Sequence, residues 1–219
     1  MADATGIPAA SVALYVRHLR ESGLIESGAH GVNARSVTYM EAARLLIALL
    51  VTDKPSRSSQ VVQDFGKTQF SKIISDKEVA SWNSLWQKSG ILEAKTFEEA
   101  VATAIQVFAD QQDSTEFEHA KIYENFPLYL PRIDIGVQPS DLAAFIRLDK
   151  DLMRFDHAYV AMELKAEGTD RSSLSTPERL AQHPEYRAAR DRYHSAIKSE
   201  RWVDQDVVDD IASVMGPET

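Results

Sequence analysis

Apolar residues recur at helical spacing near the start of the chain, where Val12, Tyr15, Val16 and Leu19 share one stripe of a helix expected over residues 9–22. Ser11, Leu14, Arg17 and His18 take the opposite face. A turn closed by Gly6 and Pro8 separates this helix from a shorter one before it. Gly23 ends it, and after Leu24-Ile25 the pattern becomes two short extended arms around a tip bearing Gly28 and Gly31. Thr38-Tyr39-Met40-Glu41 reads as a capping box, in which hydroxyl and carboxylate each accept from a backbone N–H at the start of a helix. That helix, running to Val51, is apolar nearly all round and must be buried on most sides.

Beyond a polar hinge at Lys54-Pro55-Ser56-Arg57-Ser58-Ser59, three helical patterns follow. The first runs from Ser58 and stops near Gly66. The second covers Asp76 to Lys88 with Val79, Trp82, Leu85 and Trp86 on one face, and the third opens at Thr96-x-x-Glu99 and aligns Phe97, Ala100, Val101, Ala104, Ile105 and Phe108. From Tyr129 the period changes to alternation, which predicts strands at Leu130–Val137, Ala144–Leu148 and Ala158–Leu164, an antiparallel meander packed on the Phe97 helix. A polar loop over Glu167–Ser175 leads to a helix opening at Thr176-Pro177. A charged helical stretch over Glu185–Trp202 and a last helix over Asp204–Met215 complete the chain. The expected fold class is α+β, mainly helical.

Charge divides the chain unevenly. Its net charge is −9, yet residues 1–54 balance five basic side chains (Arg17, Arg20, Arg35, Arg44, Lys54) against five acidic ones (Asp3, Glu21, Glu26, Glu41, Asp53), so the whole excess lies in residues 55–219. A near-neutral head on an acidic body suits a protein in which only the head approaches phosphate. With no cysteine there are no disulfides, no thiol nucleophile and no cysteine-held metal. The longest apolar run, Leu45 to Val51, is far too short to cross a bilayer, and the start of the chain lacks the basic head and apolar run of a signal peptide. A soluble, cytoplasmic protein is expected.

The order helix, Gly6-Ile7-Pro8 turn, helix, Gly23-Leu24-Ile25, glycine tip, buried helix resembles bacterial winged helix-turn-helix regulators, and in its order of elements the MerR-like group. The likeness covers about the first quarter of the chain. The second helix is about a turn longer than in that group, and no long C-terminal coiled-coil pattern follows. In winged helices with three helices before the wing, the first of them would precede Met1. The resemblance implies a DNA-binding domain over residues 1–53, a helical connector over 54–95, and an α+β oligomerisation or sensing domain over 96–219. It implies a DNA-binding set of Ser11, Leu14, Arg17, His18 and Arg20 on the recognition helix and His30, Asn33 and Arg35 on the wing. The expected partner is double-stranded DNA bound by a homodimer, with no cofactor and no enzymatic activity.

Three other readings compete. Phage small-terminase subunits also carry such a head, presented to DNA by a ring. Asp141, or Asp134 in its place, followed by Glu163-Leu164-Lys165, resembles the strand-borne acid, acid-x-lysine pattern of PD-(D/E)xK nucleases, in which paired carboxylates hold Mg²⁺. Asp149, Asp151, Asp156 and His157 form a weaker cation-ligating set. Finally, a helix, a Gly-Pro turn and an amphipathic helix also occur in helical interaction domains that never meet nucleic acid.

Overall fold

The computed structural model describes residues 1–27, 36–74, 90–112, 133–148, 151–158, 160–162, 180, 183–193 and 200–215. The chain is α+β. A five-stranded antiparallel sheet is formed by β1 (Gln69–Ile74), β2 (Ile133–Gln138), β3 (Ala143–Leu148), β4 (Asp151–Asp156) and β5 (Arg201–Val203), in the order β1-β4-β3-β2-β5. The helices are α1 (Ala2–Thr5), α2 (Ala9–Glu21), α3 (Tyr39–Val51), α4 (Ser58–Val61), α5 (Phe97–Gln112), α6 (Pro184–Tyr193) and α7 (Gln205–Met215).

Alternation assigns the two sheet faces. Ile133, Ile135 and Val137 of β2 pair with Leu148, Ile146 and Ala144 of β3, and all six are buried. Met153 and Phe155 of β4 continue this face, opposite Ile146 and Ala144. Against the sheet lie α5, with Phe97, Val101, Ala104, Ile105 and Phe108 buried, and α3, eleven of whose thirteen residues are buried. Burial of side chains such as Leu46 and Ile47 contributes roughly 1.5–3 kcal/mol each. The Thr38–Glu41 capping box starts α3 as expected, and Thr96 and Glu99 bracket the first turn of α5 in the same way.

Several expectations need correction. The third strand is Asp151–Asp156, whereas residues 158 and 160–162 are helical. The acid-bearing Asp-Leu-Met-Arg-Phe-Asp pattern hid an alternating strand, in which Met153 and Phe155 face the core and Arg154 and Asp156 pair with each other. The segment 54–95, expected to be a helical connector, contributes β1, paired along β4 through a register shift between Phe70 and Lys72. Arg201 and Trp202, expected to end a helix, belong to β5; the preceding helix is described only over Pro184–Tyr193. The expected helix Asp76–Lys88 with Trp82 and Trp86, the loop Glu167–Ser175 and the helix start at Thr176 lie outside the described residues.

Polar locks join the parts. Arg44, emerging from apolar α3, donates from Nε to Glu98 of α5 at 3.1 Å and from Nη1 to the Leu24 carbonyl at 3.0 Å; Lys67 also bonds Glu98. Asp64, in a π-helical turn at Val62–Gly66, accepts two bonds from Arg192 and one from the Tyr193 hydroxyl of α6. The Asp53 carboxylate accepts both arms of the Arg201 guanidinium, at 3.0 and 2.9 Å, tying the end of α3 to β5. One hydrophobic core runs through all of these elements, from Val12 of α2 to Ala212 of α7.

Candidate nucleic-acid interface

Helix α2 opens at Pro8, which supplies a favourable backbone angle just before the first turn, and its C-terminal end gives way to Gly23 in the left-handed conformation. Val12, Tyr15 and Leu19 bury one side against α3 and α4. The Tyr15 hydroxyl donates to the Thr52 carbonyl just beyond α3. Burial pushes that phenol above its ordinary pKa, helped by the nearby Asp53 carboxylate. The helix is therefore anchored by packing, by a buried hydroxyl and, through the Arg44 bond to Leu24, at its C-terminal end.

Of the residues expected on the recognition face, Leu14 and Arg17 are exposed, with 48% of Leu14 and 71% of the Arg17 side chain accessible to solvent. Ser11 and His18 lie half-buried on one flank. Arg20 projects on the other flank, beside a shallow groove of about 590 Å³ that Ala2, Ala9, Ala13 and Arg17 also line. Alanines at the middle of an exposed face leave room for close approach of another backbone.

Sequence reasoning missed the partner of this face. Glu21 accepts from Arg17 Nε at 2.7 Å and stands 3.3 Å from His18 Nδ1. The Arg17 hydrogen bond holds the Glu21 carboxyl below its ordinary pKa. The i,i+4 spacing of Arg17 and Glu21 was the available signal. In consequence Glu21 partly compensates the Arg17 charge within the helix, and Arg20 has no such partner there.

The segment expected to form the wing, with His30, Asn33 and Arg35, lies outside the described residues. Its two flanks are described, and both end on one carboxylate. Glu41 Oε1 accepts from the Glu26 backbone N–H at 2.7 Å, and Oε2 accepts from the Thr38 N–H at 3.0 Å. The capping residue of α3 thus also fixes the chain leaving α2, and residues 27 and 36 are held close to the C-terminal end of α2.

The other candidate sites are divided among different structures. Asp134 is buried on β2 and receives Arg147 Nη1 at 3.1 Å across the strand pair, while Asp141 lies on the turn Pro139–Asp141. Glu163, Lys165 and Asp149 lie outside the described residues, and residues 158 and 160–162 of the strand expected to lead to the acid-x-lysine pair are helical. Asp156 is saturated by Arg154 and the Ser71 hydroxyl; His157 packs edge-on against Tyr186 at 5.4 Å. Among the described residues no three His, Asp or Glu side chains gather to hold a metal ion, and no helix is long and apolar enough to cross a membrane.

The chain matches no protein-family model, and no curated protein or solved structure is significantly similar to it.

Proposed function

We propose that this chain is a cytoplasmic, sequence-specific DNA-binding regulator of bacterial or prophage type, acting as a homodimer without a cofactor. One observation carries the reading: α2 presents Leu14 and Arg17 to solvent on a helix whose other side is anchored to α3 and α4. A rigid, exposed helix with small residues and an arginine is suited to lie in a major groove. Support comes from the Glu41 bonds to Glu26 and Thr38, which fix the base of the expected wing next to that helix. The acidic remainder of the chain would keep nucleic acid from coating other surfaces.

Because Glu21 offsets part of the charge on α2, one head gives modest affinity, and a second copy supplies the other half-site. The deciding experiment is selection from a random-sequence duplex library with the full chain. A palindromic motif should be enriched. Recovery of unenriched library would overturn the reading, and a ring of eight or more copies in native mass measurement would transfer it to the terminase-like assembly.

A further inference from the structure

The C-terminal helix makes an unexpected contact. Although α7 is about 200 residues from α1 in sequence, it packs on α1 as well as on α5, and between α7, α2 and α3 it leaves a cleft of about 300 Å³. Val16, Ile25 and Leu45 form one wall, and Ile211, Val214 and Met215 the other. Val214 is 79% exposed at the mouth. The volume lies at the small end of the range for ligand pockets, and the apolar walls match the usual make-up of such sites.

Met1 also lines the cleft, and two charged side chains reach it, Arg20 and Glu41. They are not equivalent. The Glu41 carboxylate is buried and already accepts from the Glu26 and Thr38 backbone N–H groups at the positive end of α3, so its charge is met from within the protein. Arg20 is exposed and, unlike Arg17 beside Glu21, makes no ion pair among the described residues. An apolar slot with a guanidinium at its rim that makes no ion pair among the described residues selects for an apolar body with one negative end.

We propose that this cleft binds a small amphipathic carboxylate, its apolar part between α2, α3 and α7 and its carboxylate on Arg20. The site spans helices from opposite ends of the chain, so a bound molecule would bridge α2 to α7. The inference does not depend on α2 entering DNA.

Calorimetric titration of the full chain with octanoate and with 3-phenylpropionate, against octanol and octylammonium, tests it. Saturable one-to-one binding of at least one carboxylate is expected, roughly tenfold or more tighter than octanol or octylammonium. Arg20→Ala should remove that preference and leave weak, octanol-like binding. Val214→Trp replaces an exposed side chain, so thermal unfolding should be unchanged while the filled mouth abolishes carboxylate binding. Failure of both carboxylates to saturate, equal binding of octylammonium, or undiminished carboxylate binding in either variant would overturn the proposal. Carboxylate binding without any DNA binding would leave the cleft standing and remove only the regulator reading.

Discussion

Arg44 and Glu98 meet between α3 and α5, guanidinium Nε to carboxylate Oε2 at 3.1 Å, with the acid almost wholly buried. Burial alone would raise the Glu98 carboxyl, but the hydrogen bonds and charges of Arg44 and Lys67 outweigh it and hold the group below the ordinary glutamate value. A carboxylate whose pKa is lower in the folded than in the unfolded chain stabilises the fold above the unfolded value, about 4.3, and loses that contribution as pH falls through the folded value. Urea midpoints should therefore fall below about pH 4.3, and Glu98→Gln should flatten that acid limb. Glu98→Ala removes the carboxylate partner of half-buried Arg44 and should cost about 3 kcal/mol at pH 7. An unchanged acid limb in Glu98→Gln would show that Glu98 is not held in its charged form.

Gly136 is fixed by its neighbours. A Cβ there would stand 2.3 Å from Phe145 Cζ and 2.9 Å from the Arg201 carbonyl oxygen, because the Phe145 ring lies over the glycine across the β2–β3 pair. Gly136→Ala should lower stability by about 1–3 kcal/mol. In the double variant with Phe145→Ala the ring clash disappears and only the carbonyl clash remains, so the two losses should sum to more than the measured total. Strict additivity in denaturant unfolding would mean that the ring does not sit over Gly136.

The helices with strong local signals were legible. Val12, Tyr15 and Leu19 marked the buried side of α2, the Thr38–Glu41 box marked the start of α3, and the Phe97 stripe marked α5. The strands were legible where apolar residues alternate or cluster in a short run, as at Ile133-Asp134-Ile135-Gly136-Val137 and Ala144-Phe145-Ile146-Arg147-Leu148. At β4 Arg154 interrupts the apolar positions and Asp151 and Asp156 take the ends, and Ala158 onward offered a more apolar competitor. At β1 and β5 the pairing partner lies far along the chain, and a strand whose hydrogen bonds come from such a partner has little local signature. For the candidate interface, side-chain identities on α2 were visible in the sequence. The pairing of Arg17 with Glu21 was available from spacing, whereas the contribution of α7 to the cleft depended on tertiary packing alone.

The packing of α3 against α5 and of α1 against α7 bears on how the N-terminal segment behaves in isolation. A fragment ending at Lys54 would leave much of α3 facing water and would lose both the Arg44–Glu98 bond and the Asp53–Arg201 pair. It should show no cooperative thermal transition and should aggregate. The exposed Asp53–Arg201 pair by itself contributes less: Arg201→Ala should cost under about 1 kcal/mol and should depend on salt. Cooperative unfolding of the fragment with native helix content would demonstrate a self-sufficient head and contradict the continuous core described above.

The Arg17–Glu21 pair separates the DNA-binding reading from a solvated helix face. If α2 lies in a groove, Glu21 places a carboxylate near phosphate and competes with DNA for Arg17, so its neutralisation should help binding. Glu21→Gln should tighten binding to the selected duplex and steepen the salt dependence by about one unit of slope. Arg17→Ala should weaken it roughly ten- to a hundredfold if the guanidinium reads a base, and the loss should then vary with the base pair changed. Leu14→Glu adds a negative charge at an exposed position of the face without touching the core and should abolish binding while leaving the circular dichroism spectrum unchanged. The opposite signs expected for Glu21→Gln and Leu14→Glu distinguish an approach to phosphate from a general loss of structure. If both substitutions leave affinity unchanged, α2 does not contact DNA and the regulator proposal falls.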